Sequence, residues 1–238
     1  MLRTLEVGFD ASGAADAGAR GRVVCVVDVV DAATSAEAGL AAGAVAVLGA
    51  APAGVSVPVD VDPADVGARA AALARESGGS AVVVAEPRVG PAEERIAAAR
   101  PVLDSLAAAG VSSELVANQG AELPALAELS GRIVVVVSAT GGVAYDAALA
   151  AAAPAACFAT TARVAGSTGW EVAALGARRA AALAREHEVG LSVIAASANS
   201  SDDCLGAFDL AQTLIREGHL RGQGPPEGGA RRRTGQVA

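Results

Sequence analysis

Carboxylates and hydroxyls cluster directly after an apolar stretch near the start of the chain. Asp28 interrupts the run Val23–Val30, and Asp31, Thr34 and Ser35 follow it closely. A continuous apolar run is typical of a parallel strand that is buried on both faces. The chemistry of open α/β sheets gathers where such strands end. Asp28 therefore has the position of a metal-binding or catalytic acid, although a carboxylate there can equally cap the next helix.

A second polar turn follows the apolar run Ile133–Val137. Thr140, Gly141 and Gly142 lie in this turn, directly before a helical stretch. Glycine lets backbone N–H groups approach an oxyanion closely, and the threonine hydroxyl adds a donor. A phosphate-binding turn is one interpretation of this segment, and a plain tight turn is the other.

Two adjacent carboxylates, Asp202 and Asp203, follow the last apolar run and open a helical stretch. Acidic residues in a first turn complement the helix dipole, which would give the pair a purely structural role. If the three strand ends lie side by side, Asp28 joins this pair, and carboxylate oxygens are ligands that Mg²⁺ takes in proteins. The sequence therefore leaves open a capping role and a Mg²⁺ site formed by Asp28, Asp202 and Asp203.

The residue types exclude several kinds of catalysis. All 18 basic residues are arginine, so no lysine is present for a Schiff base or a Walker-type phosphate loop. His187 and His219 lie near a helix end and near the tail. Cys25, Cys157 and Cys204 lack the spacing of a metal site. Zinc, Schiff-base and P-loop chemistry are therefore not expected.

Charge and hydropathy indicate where the protein works. The formal net charge is −8 and the pI is near 4.8, which argues against a nucleic-acid-binding surface. The first residues show no signal-peptide pattern, and charges or prolines interrupt every long apolar window, so no membrane association is expected. We expect a cytoplasmic protein with reduced cysteines, and a homodimer is an assembly that the sequence leaves open.

Apolar strand-like runs alternate with helical stretches along the chain. Strands are predicted at Arg22–Val30, Ala44–Leu48, Ala81–Ala85, Ile133–Val137, Ala155–Ala159 and Leu191–Ala196. Helices are predicted at Thr34–Ala42, Pro63–Ser77, Pro91–Ala109, Pro124–Leu129, Val143–Ala152, Gly169–Glu188 and Asp202–Arg216. This alternation indicates βαβ units. The predicted fold is α/β, a three-layer αβα structure with a mainly parallel central sheet. It forms one domain over 1–220, and a disordered tail follows over 221–238.

The polar junctions match a known set of sequence blocks. The segment Asp28–Ser35 is similar to Asp-Val-Leu-Arg-Ala-Thr-Ser/Thr-Thr, and Val137–Gly142 is similar to a strand followed by Thr-Thr-x-Asn-Gly-Thr. Ala159–Ala165 stands in the place of Ser-x-x-Asn-Ala-x-Ala, and Ser201–Asp203 in that of Leu-Glu-Asp. In the order and spacing of these blocks, over most of residues 20–215, the chain resembles the 2-phosphosulfolactate phosphatase family.

This resemblance implies a Mg²⁺-dependent hydrolase that acts on a small phosphorylated hydroxy-acid, such as 2-phosphosulfolactate in coenzyme M biosynthesis. It implies Asp28 and Asp203 as catalytic residues, and Asp28, Asp202 and Asp203 as metal ligands. The small anionic substrate would be held by phosphate-binding residues at the junctions and in two flanking segments. These residues are Thr34, Ser35, Arg88, Thr140, Gly141, Gly142 and Arg163.

Asp31 departs most clearly from the family, which has an arginine at this place. An anion there opposes a phosphorylated substrate unless Mg²⁺ or another arginine compensates. The family's Gly-Glu-Arg-x-Gly segment is represented only by Glu86–Gly90, and its Gly-Phe-x-x-Gly-Asn-Ser-Pro loop has no counterpart. Two classes therefore remain open. One is the phosphatase, favoured by the retained Asp28, Asp202 and Asp203. The other, favoured by the loss of the arginine, is a catalytically degenerate or repurposed relative that acts as a small-molecule-binding or scaffold protein.

Overall fold

Strands and helices alternate along the whole of the described chain. The computed structural model describes residues 2–164 and 166–220. The strands in these residues are β1 Leu5–Phe9, β2 Val23–Val27, β3 Ala46–Ala50, β4 Ala81–Ala85, β5 Ser113–Ala117, β6 Ile133–Val137, β7 Ala156–Ala159 and β8 Leu191–Ala195. The helices are α1 Asp10–Ala19, α2 Ala32–Ala41, α3 Pro63–Ser77, α4 Ala92–Ala108, α5 Gly141–Ala150, α6 Gly169–Glu186 and α7 Ser201–Arg216, with a 3-10 helix, η1, at Gly120–Ala125.

Within the described residues the strands form two parallel sheets. One sheet has the order β1-β8-β2-β7 and the other the order β3-β6-β4-β5, and every hydrogen-bonded pair is parallel. Parallel neighbours need crossover connections, which the alternating helices supply. The predicted α/β class and parallel strands are confirmed. The difference is that hydrogen bonding divides the strands into two four-stranded sheets instead of one.

Helices cover both faces of the central strands. In β2, Val24 and Val26 pack in a cluster with alanines of α1, α2 and α5. The residues that alternate with these two, Cys25 and Val27, pack with alanines of α6 and α7. Successive residues of a strand point to opposite faces, so the helices lie on both sides of the sheet. This arrangement is the predicted αβα layering, with a core of valine, leucine and alanine that needs few aromatic residues.

The two sheets have equivalent topologies. Each strand of one half corresponds to the strand four places away in the other half, so that β1, β2, β7 and β8 correspond to β5, β6, β3 and β4. With this replacement the order β1-β8-β2-β7 becomes β5-β4-β6-β3, which is the second sheet described from its other edge. The residues before α2 and α5 share a backbone conformation, with φ and ψ of −119° and −95° at Asp31 and −118° and −83° at Thr140. Residues 5–108 and 113–216 are therefore two equivalent halves, and each half supplies strands to both sheets. The residue types alone do not reveal this repeat.

β3 and β7 are the adjoining edges of the two sheets, and they share no ladder in the described residues. Arg179 of α6 donates to the carbonyl oxygen of Phe158 in β7 at 3.0 Å and to both carboxylate oxygens of Glu37 on α2 at 2.7 and 2.9 Å. On the β3 side, Asp146 of α5 accepts a hydrogen bond from the N–H of Ala51 at 3.0 Å. Side chains thus satisfy a backbone group on each side of the gap between the sheets, which a neighbouring strand would otherwise pair.

Asp146 also makes the stability of the fold depend on pH. Its carboxylate accepts hydrogen bonds from the backbone N–H groups of Ala51 and Asp62 at 3.0 and 2.7 Å. Burial nevertheless raises the pKa of Asp146 to about 6. The folded state therefore holds this proton more tightly than the unfolded chain does. As a result, the free energy of unfolding decreases as the pH rises from about 4 to about 6.

We expect this carboxyl to contribute a loss of roughly 2 kcal/mol between about pH 4 and pH 7, since one pKa unit corresponds to about 1.4 kcal/mol. Urea unfolding of the protein and of Asp146→Asn at both pH values measures the contribution. The variant should lack this part of the pH dependence, whereas Asp60→Asn, at an exposed position, should retain it. The same pH dependence in the protein and in Asp146→Asn would contradict the prediction.

The sequence prediction missed β1, α1 and β5. β1 and β5 are the outer strands of their sheets, and none of their residues is fully buried. Each contains a glutamate, Glu6 or Glu114, because an outer strand has one side open to solvent. The continuous apolar run that identifies the central strands is therefore lacking. The other predicted elements agree within a few residues, except that η1 lies ahead of the helix predicted at Pro124–Leu129.

A connected cluster of buried residues includes strands of both sheets, from Val26 in β2 to Val83 in β4. The single domain over 1–220 stays a prediction, and the disordered tail predicted at 221–238 lies outside the described residues.

Among the helices of residues 2–164 and 166–220, none has the length and apolar character needed to span a bilayer.

Candidate functional site

The three polar junctions meet at one edge of the molecule, where β2, β6 and β8 end. The carboxylate of Asp28, after β2, accepts hydrogen bonds from the Thr140 hydroxyl at 2.7 Å and the Gly141 N–H at 2.8 Å, both after β6. The N–H of Val29 donates to the carboxylate of Asp203, after β8, at 2.9 Å. The expected convergence is therefore present, although β6 belongs to a different sheet from β2 and β8.

Asp28 acts as a cap between two helices. Its other oxygen accepts a hydrogen bond from the N–H of Asp31 at 3.1 Å, so both carboxylate oxygens have backbone or hydroxyl donors. Asp28 thereby caps α5, and the start of α2 lies so close that a Cβ on Gly141 would come within 2.8 Å of the Ala32 methyl. Burial raises the pKa of Asp28, while the hydrogen bonds from Thr140 and Gly141 oppose that rise. The observed contacts are those of a structural carboxylate.

The carboxylates predicted to hold Mg²⁺ have different environments. Asp203 is buried and accepts from Val29, and burial raises its pKa to about 6. Asp202 is exposed and lines a separate shallow cleft on α7. In residues 2–164 and 166–220, no three His, Cys, Asp or Glu side chains are placed to share a metal ion. The set of Asp28, Asp202 and Asp203 therefore does not fit a Mg²⁺ site.

Two hydroxyls predicted to bind phosphate are buried and already bonded. The Thr34 hydroxyl donates to the carbonyl oxygen of Val29 and lies 3.0 Å from the Thr160 hydroxyl. The Ser35 hydroxyl donates to the side-chain oxygen of Asn118. Both side chains tie α2 to neighbouring strand ends, so neither presents a donor to a ligand in this conformation.

The glycine turn after β6 is explained by close packing. The N–H of Gly141 and the hydroxyl of Thr140 both donate to Asp28. A Cβ on Gly142 would lie 2.2 Å from the carbonyl oxygen of Ala50, so only glycine fits between α5 and β3. This turn therefore corresponds to the structural interpretation of the sequence, in which the glycines allow α5 to begin against the sheet.

The two predicted phosphate-binding arginines lie in different places. Arg88 donates to Asp31 at 2.9 Å and to the carbonyl oxygen of Asn118 at 3.1 Å. Arg163 lines another cleft, beside Glu122 and Thr168, which has a volume of about 690 Å³. The charge of Arg88 is thus neutralised by Asp31.

A cleft of about 440 Å³ opens where β3, β4 and β6 end. We call it the carboxylate cleft, because Asp31, Glu86 and Glu94 line it together with a single cation, Arg88. Its remaining wall is apolar and consists of Pro52, Pro87, Ala98, Val137 and Ala139. A concave apolar surface with a few polar groups, at the carboxyl ends of parallel strands, is the usual form of a small-molecule site.

Glu86 is the most deeply placed acid of the carboxylate cleft. Its oxygens accept from the Asn118 amide and the Ala139 N–H, both at 3.4 Å. Burial raises the pKa of Glu86, and the negative charges of Asp31 and Asp28 add to the rise. Sequence reasoning did not select this residue, although it follows a buried strand directly, as Asp28 does. A carboxyl with a raised pKa in a cleft can hold a cation or exchange a proton with a ligand.

A second cleft, of about 360 Å³, lies on the other side of Ala139, where β1, β6 and β8 end. Asp10 lies at its rim with a φ of 59°, a backbone conformation that aspartate tolerates better than most residues. Its carboxylate accepts from the N–H of Ala198 at 2.6 Å. Asp10 therefore ties the start of α1 to the loop after β8.

Comparisons with known proteins add no assignment, since no family model, curated protein or solved structure matches the chain. The geometry establishes a parallel α/β fold in which four of the groups predicted to bind phosphate donate to other parts of the protein, namely the Thr34, Ser35 and Thr140 hydroxyls and the Gly141 N–H. It also places three carboxylates around one neutralised arginine in the carboxylate cleft.

Proposed function

We propose that the protein binds a small organic cation, an amine with a short carbon chain, in the carboxylate cleft. The observation that carries this proposal is the charge of the lining: Asp31, Glu86 and Glu94 surround Arg88, whose guanidinium is already paired with Asp31 at 2.9 Å. The lining therefore has an excess of negative charge. This is the repurposed small-molecule-binding relative that the sequence left open beside the phosphatase.

Both ends of such a ligand would meet complementary groups in the cleft. An ammonium group between Glu86 and Asp31 would form charge-assisted hydrogen bonds, which are roughly twice as strong as neutral ones. Glu86 is partly buried, so its attraction for a cation is screened less than that of a fully exposed acid. The apolar side, with Pro52, Pro87 and Val137, would pack against the carbon chain.

Titration calorimetry with putrescine tests this proposal on the full chain. We expect Glu86→Gln and Asp31→Asn each to weaken putrescine binding by about tenfold or more, since a hydrogen bond to a charged group contributes roughly 1.5–3 kcal/mol. Glu122→Gln, in the cleft that holds Arg163, is the matched control and should leave the affinity unchanged. Absence of putrescine binding, or tighter binding of inorganic phosphate than of putrescine, would contradict the proposal.

A second candidate function is the Mg²⁺-dependent phosphatase for a small phosphorylated hydroxy-acid. One observation favours it: the guanidinium of Arg88 lies beside position 31, where the resembled family has its arginine. In that case Arg88 would bind the anionic substrate. The test is Mg²⁺-dependent release of phosphate from 2-phosphosulfolactate, which the amine-binding proposal expects to be absent. Release that Arg88→Gln abolishes would favour the phosphatase.

A further inference from the structure

The carboxylate cleft and the second cleft, at the ends of β1, β6 and β8, adjoin one another. Ala139, directly after β6, lines both of them and is itself exposed. What lies between the two clefts is therefore a small side chain at the surface and not a buried wall. A ligand that occupies one cleft can extend over Ala139 into the other.

The loop between β3 and α3, residues 51–62, provides a wall that the two clefts share. It contributes Pro52 to the carboxylate cleft, and Val57 and Pro58 to the second cleft. All three side chains are apolar, so the wall has the same character along its length. A continuous apolar wall suits the carbon chain of an elongated ligand better than two separate small ligands.

Asp10 provides a negative charge in the second cleft. Its Oδ1 accepts from the N–H of Ala198 at 2.6 Å, while its Oδ2 forms no hydrogen bond or ion pair within residues 2–164 and 166–220. Among the described residues that line this cleft there is no arginine or histidine. The charge of Asp10 is therefore available to a cation, on the far side of Ala139 from Glu86 and Asp31.

The helix ends at the second cleft do not cancel this charge. The start of α5 reaches the cleft at Thr140, but Asp28 already accepts from the N–H of Gly141 at 2.8 Å. α1 begins at Asp10 itself, and the positive end of a helix corresponds to only about half an elementary charge. A full carboxylate at this position leaves the cleft net negative.

We propose that the two clefts form one elongated site for a linear polyamine, with one ammonium group between Glu86 and Asp31 and another at Asp10. This inference rests on the proposed amine binding and specifies its ligand: a chain of amines longer than putrescine. The alkyl segments lie over Ala139 and along the apolar wall. Once the first ammonium group is bound, the second meets Asp10 at a high effective concentration, so its charge-assisted hydrogen bond adds to the affinity.

Titration calorimetry of the full chain with putrescine and spermidine tests the proposal, since spermidine is putrescine extended by an aminopropyl group. We expect spermidine to bind at least about tenfold more tightly. Asp10→Asn should remove this difference and leave the affinity for putrescine unchanged. Asparagine tolerates the backbone conformation of Asp10, and its oxygen can still accept from Ala198, so the variant removes the charge and keeps the turn.

The matched control is Asp60→Asn, which separates a defined contact from general attraction to a protein with a net charge of −8. Asp60 is exposed in the loop between β3 and α3 and lines neither cleft. Its replacement should leave the preference for spermidine unchanged. The titrations are made at about 0.15 M salt, where interactions between exposed charges are screened beyond about 8 Å.

The outcomes distinguish the elongated site from amine binding itself. Putrescine binding without tighter spermidine binding, or a preference for spermidine that Asp10→Asn leaves intact, would overturn the elongated site while the proposed amine binding stands. Binding of neither amine would overturn both. Glu86→Gln should weaken both ligands. Spermidine binding that needs Asp10 but not Glu86 would confine the ligand to the second cleft and overturn the proposal that it spans the two.

Discussion

Asp28→Asn should lower the free energy of unfolding by about 2–3 kcal/mol, although it changes the side chain by a single atom type. The carboxylate accepts hydrogen bonds from the N–H of Asp31, the hydroxyl of Thr140 and the N–H of Gly141 at a buried position, 3% exposed. An asparagine has one acceptor oxygen, so its NH₂ group must face at least one of these donors. A buried donor that is left without an acceptor costs roughly 1–3 kcal/mol.

Urea unfolding at neutral pH measures this effect. Asp202→Asn is the matched control, since Asp202 is exposed at a helix start and its replacement should change stability by no more than about 0.5 kcal/mol. The experiment also separates the two interpretations of Asp28. A variant as stable as the protein that has lost Mg²⁺-dependent phosphate release would show a catalytic carboxylate and contradict the capping role.

Arg179→Met should destabilise the fold by about 3–5 kcal/mol, the largest effect that we expect from one substitution. Arg179 neutralises Glu37, which is 4% exposed, through two hydrogen bonds at 2.7 and 2.9 Å. It also satisfies the carbonyl oxygen of Phe158 at the edge of β7. Removing one partner of a buried ion pair leaves an unpaired charge in a medium of low dielectric constant, which accounts for the magnitude.

The double variant Glu37→Leu/Arg179→Met should recover most of the lost stability, because no unpaired charge remains. The loss of stability that remains in the double variant measures the contribution of the hydrogen bond to Phe158. Arg178→Met is the matched control: the neighbouring Arg178 pairs with Glu217 at the solvent-exposed surface, so its replacement should change the stability far less than Arg179→Met does. Equal losses in Arg179→Met and in the double variant would show that the unpaired charge of Glu37 contributes nothing. Packing of Arg179 between β3 and β7 would then explain the effect.

Sequence reasoning located the central elements because their causes are local. β4 and β6 are uninterrupted apolar runs, and α3 begins and ends as its residues predict. Asp62 accepts from the N–H of Asp65 at 3.0 Å, and Gly78 closes the helix with a φ of 68°. These signals act over a few residues, so they can be interpreted without the fold. The outer strands β1 and β5 lack such signals, since half of their environment is solvent.

The candidate site was predicted only in part, and the reason lies in partners that are distant in sequence. Alternation of strands and helices correctly implied that the polar junctions meet at one edge. Whether a carboxylate there is free depends on which donors face it, and the donors to Asp28 include residues more than a hundred positions away. For the same reason the sequence could not show that Ser35 is bonded to Asn118.

The sequence by itself determined the α/β class and the central strands with their connecting helices. Composition, apolar periodicity and caps fix these features within short segments of chain. Only the tertiary structure decided that the strands separate into two sheets, with Arg179 and Asp146 bonded to backbone groups on either side of the gap between them. It also decided which donors face Asp28 and that Glu86 lines a cleft. A side chain's role depends on the donors, charges and solvent that packing brings to it, and those come from every part of the chain.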